Sequence, residues 1–492
     1  MPSSKKNIGK DSLLLTVTQL ITLGVNMVNA MLLSRFRTLG EYGTYSQIMM
    51  VCTVIITFFS AGFSQCINYF LGKSETEEEK RKFVGNYYSL ITLIGILGGS
   101  IALALLPVLK IYFGNEAIGT LWFVLLLYPV SHILTSGVDR FFINYRRAKW
   151  LMAFKVGHSV LVLLVMAFTL LFGLTFYQYM IIYIAVEMLF GLSVYVWMRM
   201  LSGTRNFGWS SPLIKQIFAF AVPMALASLV STINTEMDKL IVGGLVSTEE
   251  LAIYTNAARE LPVYIFSTSI SSVVMPFVVR HVSKERYLDA AKLWQKSITL
   301  SFYLIGFFVA VMVTFAPQIM SVLYSDKYLP GTNVFRIYSV VLLFRTTYYG
   351  MVLNALGKTK TILRASITTM VSNLVLDVLL YQLLGVVGPA IATLLSVGVM
   401  NMYQLYLTKK QIGIKFTDIY PLRKIGVILA LNGVLAIAFF LLQQVLFRLV
   451  PMMDQIVLTV GLGILWVAVY FLLVKRNILT IWKDLNKGDE YD

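Results

Sequence analysis

Glu41-Tyr-Gly-Thr-Tyr-Ser46 returns in altered form as Glu250-Leu-Ala-Ile-Tyr-Thr255, 209 residues further along the chain. Each stretch follows one long apolar run and opens the next. The same offset aligns polar residues in the preceding runs: Gln19 with Ser228, Thr22 with Ser231, Asn26 with Thr235 and Asn29 with Asp238. Asn144 and Asn354, each just before a basic loop, pair at an offset of 210. The chain therefore reads as two copies of one unit.

Composition says what the unit is made of. The 492 residues are 58% hydrophobic and only 13% charged, whereas a soluble domain is about 25% charged. A bilayer core of about 30 Å is crossed by roughly 20 apolar residues of helix. Fourteen such runs occur, near 12–34, 43–71, 84–107, 118–138, 155–174, 176–198, 216–244, 251–279, 297–323, 332–355, 361–384, 385–407, 425–447 and 455–474. They are too long and too uniformly apolar for barrel strands. The expected fold is an all-α integral membrane protein of 14 transmembrane helices. Spans 1–6 (residues 1–200) and spans 7–12 (residues 201–412) form parallel repeats around a central cavity, and residues 413–492 add spans 13–14 and a tail. An even number of spans per copy gives both copies the same orientation, one of the two repeat arrangements of secondary transporters. The first apolar stretch is too long, and lacks the cleavage site, for a removed signal peptide.

Positive charge orients the chain. With a cytoplasmic N-terminus, the inside loops and tails, with the span ends that adjoin them, hold 32 of the 41 Lys and Arg. The outside loops hold Arg35, Arg37, Lys110, Lys327, Arg336 and Arg448, and Lys239, Arg259 and Arg345 fall within apolar spans. Both termini are thus expected in the cytoplasm. The net charge of +17 is accounted for without a nucleic-acid partner. The loop segment 283–296 places Tyr287, Ala291 and Trp294 at helical spacing and reads as a short helix lying in the membrane interface.

Polar residues recur at spacings that share a helix face. Span 1 carries Gln19, Thr22, Asn26 and Asn29; span 2 carries Thr53, Thr57, Ser60, Ser64 and Asn68. Span 7 answers with Ser228, Ser231, Thr235 and Asp238, and span 8 with Asn256, Glu260, Ser267 and Ser271. One such stripe is commonly a helix–helix seam; four on corresponding helices point to a hydrated cavity. Ionisable groups deep in a bilayer are costly and mark function by default. They are Glu187, Glu236, Asp238, Lys239, Arg259, Glu260, Arg345 and Asp377. Glu236 and Lys239 at i, i+3 can neutralise each other. Arg345 has no acid within a turn, and Tyr338 and Tyr349 share its face at helical spacing. Glu187, Glu236, Asp238, Glu260 and Asp377 are the candidates for ion coupling.

No catalytic constellation is legible. Gly-Lys-Ser at 72–74 and Gly-Lys-Thr at 357–359 lack the upstream glycine of a phosphate loop, having Ile67 and Val352 instead. Transport by this chain must draw on a proton or sodium gradient, on the membrane potential, or on a partner; no cofactor is expected. Cys52 and Cys66 lie in one apolar run, which excludes a disulfide framework. His132, His158 and His281 are too scattered in sequence for a recognisable metal site.

Phe220-Ala-Val-Pro-Met-Ala-Leu-Ala227, Thr235-Glu-Met-Asp-Lys-Leu-Ile-Val-Gly-Gly244 and Glu249-Glu-Leu-Ala-Ile-Tyr-Thr-Asn-Ala-Ala258 resemble the start of the second half in Wzx-like, polysaccharide-type flippases. Tyr328-Leu-Pro-Gly and Leu353-Asn-Ala-Leu-Gly-Lys-Thr-Lys360 do so as well. These are members of the multidrug/oligosaccharidyl-lipid/polysaccharide exporter superfamily, and the resemblance covers essentially the whole chain. It implies a bacterial cytoplasmic-membrane protein that moves undecaprenyl-diphosphate-linked oligosaccharides from the inner to the outer leaflet for capsule, exopolysaccharide or O-antigen-type synthesis. It also implies polymerase and glycosyltransferase partners, cavity arginines on the diphosphate, and a groove for the prenyl tail beside spans 13–14. Arg345, Arg259 and Lys239 are the candidate diphosphate contacts. The sugar candidates are Gln19, Thr22, Asn26, Asn29, Thr53, Thr57, Ser60, Ser64, Asn68, Ser231, Thr235, Asn256, Tyr338 and Tyr349. Peptidoglycan-precursor flippases of the superfamily carry arginine on span 1, whereas this chain has no basic residue between Lys10 and Arg35. The competing readings are a cation-coupled drug or metabolite exporter of the same superfamily and a membrane glycan polymerase or acyltransferase.

Overall fold

The computed structural model describes residues 3–204, 207–451 and 454–486. Residues 1–2 and 487–492, the ends expected in the cytoplasm, lie outside the described residues. The chain divides into two compact units, Met1–Ala252 and Ile253–Asp492.

Unit 1 opens with the long helices α1 (Ser3–Phe36), α2 (Leu39–Lys73) and α3 (Glu77–Ala104). The short α4 (Leu106–Phe113) and α5 (Ala117–Thr120) follow, then α6 (Trp122–Thr135) and α7 (Val138–Asn144). α8 (Ala148–Leu171), α9 (Phe176–Ser202) and α10 (Ser211–Leu245) complete it. α11 (Thr248–Ala257) carries the chain past the division. Unit 2 continues with α12 (Ile265–Ser283), α13 (Tyr287–Thr314), α14 (Ala316–Tyr324), α15 (Thr332–Val341) and α16 (Met351–Ala355). α17 (Thr359–Leu384), α18 (Val387–Ile412), α19 (Phe416–Ile419), α20 (Leu422–Leu449) and α21 (Gln455–Asn486) follow.

The repeated Glu41 and Glu250 have a local cause. The Thr38 amide donates to Glu41 Oε2 at 2.9 Å while the Glu41 amide donates to Thr38 Oγ1 at 3.1 Å. Ser247 and Glu250 exchange the same pair of bonds at 3.3 and 3.2 Å. Each is a capping box that satisfies otherwise orphaned amides and starts a helix.

Within unit 1, α2 and α10 pack along each other at backbone contact. A Cβ on Gly62 would lie 1.9 Å from the Ala221 carbonyl oxygen, so only glycine allows the approach. Arg37, at the end of α1, donates to the Leu174 carbonyl at 3.0 Å in the α8–α9 turn.

Thirteen helices among the described residues are long and apolar enough to cross a membrane. The fourteenth expected run, 332–355, is not continuous. It consists of α15, a 3-10 turn over Leu342–Arg345, non-helical residues 346–350 and the short α16. Span 8 is also interrupted, between α11 and α12. There Pro262 lacks the amide that a continuous helix needs, and Leu261 before it is extended (φ −66°, ψ 148°). Residues 283–296 correct the expectation of a separate interfacial helix. From Tyr287 they form the first turns of α13, because Ala290, Ala291 and Trp294 are fully buried, with Trp294 packed among Val278, Val282 and Ile298.

Candidate functional site

Two polar centres stand out, one in each unit. In unit 1, α6 brings His132, α8 brings His158 and α9 brings Glu187. Glu187 Oε2 lies 3.2 Å from His132 Nε2 and 3.1 Å from His158 Nε2. The Glu187 side chain is 4% exposed and the two rings are 32% and 27% exposed, and all three line one space. That space is a cavity of about 510 Å³, lined also by Thr22 and Asn26 of α1, Thr135 and Ser136, and the Asp139–Lys155 ion pair. Ser131 donates to the Glu187 backbone carbonyl, which locks α6 against α9. The Tyr128 ring sits 4.1 Å from the His132 ring, and Phe190 lies edge-on to His158 at 4.8 Å.

In unit 2 the centre forms where two spans lose their helical bonding. Glu260 sits in the break between α11 and α12, and Arg345 closes the 3-10 turn that interrupts span 10. Arg345 Nη2 donates to Glu260 Oε1 at 3.0 Å. The backbone carbonyls freed by the break are taken up by neighbours, as membrane depth requires. Ser267 donates to the Arg345 carbonyl, and Asn401 to the Phe344 carbonyl at 2.8 Å. Trp294 Nε1 donates to Thr347 Oγ1 at 2.8 Å. The buried Nε of Arg345 has no hydrogen-bond partner, so part of the guanidinium's donor set is left over. Half-buried Arg259 lies beside Glu260 in the same break.

The remaining candidates are dispersed. Lys239 pairs with Glu236 on its own helix at 3.0 Å, and Asp238 is buried beside them in sequence. Thr22 and Asn26 reach the unit 1 cavity, while Gln19, Thr53, Ser231 and Thr235 are exposed and Asn29 is half-buried. Thr57 receives a bond from Thr232 at 3.3 Å across the α2–α10 contact, and Asn68 one from Asn144 at 2.8 Å. Ser60, Ser64 and Asn256 are buried. So are Tyr338, edge-on to Tyr254, and Tyr349, whose hydroxyl is 3.4 Å from that of Tyr420. Asp377 is fully buried and accepts from Asn373 at 2.8 Å.

Sequence reasoning passed over His132 and His158. The available signal was an ionisable ring within each of two apolar runs, a placement that marks function as it does for acids. An apolar groove completes the geometry. Val311, Phe315, Ile319 and Val322 face Ile456 and Val460 of α21 across about 280 Å³.

The chain matches a family model described as polysaccharide biosynthesis protein over residues 8–282, and one described as MatE over residues 223–379. It is 26% identical over 206 residues to a probable low-salt glycan biosynthesis flippase of Haloferax volcanii, covering 41% of this chain and 43% of that relative. A capsular polysaccharide biosynthesis protein, CapF of Staphylococcus aureus, is 23% identical over 197 residues, 39% of this chain and 50% of that one. The chain thus matches half or less of the length of these curated relatives. Among solved structures, the lipid II flippase MurJ in an inward closed conformation is similar at a TM-score of 0.70 and 16% identity, over 95% of this chain and all of that one. An inward-facing multidrug resistance MATE transporter reaches 0.64 at 16% identity, over 82% and 98%. Those likenesses establish the shared fold.

Proposed function

Because the chain belongs to the polysaccharide biosynthesis protein family of the multidrug/oligosaccharidyl-lipid/polysaccharide exporter superfamily, we propose that it is a flippase for undecaprenyl-diphosphate-linked oligosaccharide units. It moves them from the inner to the outer leaflet of a cytoplasmic membrane by alternating access, with both termini in the cytoplasm. It is a transporter that makes and breaks no covalent bond. Polymerase and glycosyltransferases of a capsule, exopolysaccharide or O-antigen-type pathway are its expected partners.

The observation that carries this reading is Arg345. A diphosphate cannot cross hydrocarbon bare, because burying uncompensated charge costs many kcal/mol. A guanidinium poised at two helix breaks, with one nitrogen on Glu260 and a buried Nε still unpartnered, can replace the phosphate's water with charge-assisted bonds. Arg259 is the second contact, and Lys239, already engaged by Glu236, the weaker third. Thr22 and Asn26 offer donors and acceptors that suit sugar hydroxyls. The apolar groove against α21 suits the prenyl chain.

The test is reconstitution in vesicles carrying a fluorescent undecaprenyl-diphosphate oligosaccharide whose sugar is read by a membrane-impermeant lectin. The expected result is protein-dependent movement of the sugar between leaflets. Vesicles that leave the lipid in place but move a fluorescent organic cation would overturn the reading in favour of a drug exporter.

A further inference from the structure

We infer that His132, Glu187 and His158 form a proton-loading site of unit 1, and that the proton it carries is the one that drives transport. The second half of this statement rests on the flippase reading; the first does not.

The geometry contains the parts such a site needs. One buried oxygen, Glu187 Oε2, is shared by two imidazoles at 3.2 and 3.1 Å. The Nε2 of His132 is buried and, though 3.2 Å from Glu187 Oε2, makes no hydrogen bond. With both rings neutral the cluster carries the single negative charge of Glu187, and one added proton makes it neutral. A group buried at membrane depth is sensitive to that difference, since an uncompensated charge there costs a few kcal/mol or more. Histidine is the side chain whose charge changes near physiological pH. The two rings and Glu187 all line the 510 Å³ cavity, so water filling it would bring protons to the cluster.

The surroundings leave the charge uncompensated. Asp139 of α7 and Lys155 of α8 neutralise each other on the cavity wall. Tyr128 of α6 and Tyr183 of α9 stack beside the cluster, and α2 brings Tyr45 and Cys52 near them. α1 contributes Thr22 and Asn26. α3 meets α6 through Gly95, Gly98 and Gly99. The cluster also joins three helices, α6, α8 and α9, through one atom of Glu187. Loading a proton therefore alters the force holding three spans together, and that is how a charge change biases a two-state element.

Three histidines in 492 residues make the test direct. Full-length protein with isotope-labelled histidine rings, in detergent or nanodiscs, gives three ring signals by NMR across pH 5–9. The His132 and His158 signals are expected to respond to pH together, and Glu187→Gln to change the response of both, with that of His281 unmoved. Two independent titrations that ignore Glu187→Gln would overturn the site, and the wild-type spectrum alone reports the coupling if that variant fails to fold. The second arm imposes a pH gradient on the oligosaccharide-lipid vesicles. A step carrying one proton shifts the leaflet distribution about tenfold per pH unit, a response that His132→Asn/His158→Asn loses and His281→Asn keeps. Lipid movement that ignores the gradient would overturn the coupling while sparing the flippase reading. No movement under either condition would sink that reading and the coupling with it, and the titration would still decide the proton site.

Discussion

Span 4 of the first repeat and span 10 of the second occupy equivalent places in the sequence and have been put to different uses. In unit 1, α6 ends at Thr135 and α7 resumes at Val138, so the interruption is two residues long. In unit 2 the corresponding stretch loses its helix from the 3-10 turn at Leu342–Arg345 to Met351. Thr135 and Arg345 pair at the offset of 210 that also relates Asn144 to Asn354. Each centre holds one carboxylate, Glu187 or Glu260, but the partner differs in kind. Glu187 is met by two imidazoles, whose charge depends on pH, and Glu260 by a guanidinium, whose charge does not. Under the proposed roles, the repeat divides two tasks between its copies. Unit 1 has what a proton needs, and unit 2 has what a permanent anion needs.

The largest effect that tests this division is at Arg345. Arg345→Ala should abolish polysaccharide export with protein level and insertion intact: the 38% exposed guanidinium is covered once a diphosphate sits on it, and losing a covered charge contact costs about 2–5 kcal/mol, roughly thirtyfold or more. Arg345→Lys should rescue only in part, because the charge survives and the two-pronged geometry does not. The exchange Glu260→Arg/Arg345→Glu separates ligand from strut. A swap that restores export would make the pair purely structural and break the comparison; the expected result is that it stays inactive.

Backbone contact gives the next effect, and one glycine is taken from each unit. A Cβ on Gly62 would stand 1.9 Å from the Ala221 carbonyl oxygen, and one on Gly388 2.1 Å from the Leu380 carbonyl oxygen. Neither backbone can yield as a flexible side chain would. Gly62→Ala and Gly388→Ala should each destabilise by about 1–3 kcal/mol, read as a lower melting temperature in detergent. A Gly62→Ala variant with unchanged melting would show that α2 and α10 are free to separate.

Lys239→Ala should be milder than Arg345→Ala. Glu236 already engages the ammonium one turn away, and polar contacts between membrane helices are worth about 0.6–1.7 kcal/mol, roughly threefold to twentyfold. Export in the variant, compared with Arg345→Ala at matched protein level, checks the ranking. Equal losses would place Lys239 on the diphosphate as firmly as Arg345.

The helices and the repeat were legible in the sequence because both are local. Apolar length marks a span, and the recurring Glu41 and Glu250 are visible because a capping box spans only four positions. The break in span 8 was read as part of one run, although Pro262 was a local signal for it. The break in span 10 was not legible. Residues 346–350 (Thr-Thr-Tyr-Tyr-Gly) carry no proline, and the break persists because Ser267, Asn401 and Trp294 bond what it exposes. The site pairs were also hidden. Glu260 meets Arg345 across 85 residues, and His132 meets Glu187 across 55. A single sequence states which residues are polar within a span but not which spans are neighbours, so Arg345 read as lacking an acid and the histidines as scattered.

The smallest effect tests the repeat itself. If Thr38–Glu41 and Ser247–Glu250 are two copies of one device, removing the cap hydroxyl should cost the same in each. Thr38→Ala and Ser247→Ala each delete the acceptor for one amide, at 3.1 and 3.2 Å, and each should cost about 1 kcal/mol. The flanking helices differ, however: α2 runs unbroken for 35 residues, whereas α11 has 10 before the break at Glu260. A frayed first turn is a small part of the long helix and a large part of the short one. Local hydrogen exchange should therefore rise over about one turn in Thr38→Ala and along most of α11 in Ser247→Ala. Matching exchange in the two variants would mean that α11 is held by its packing rather than by its cap.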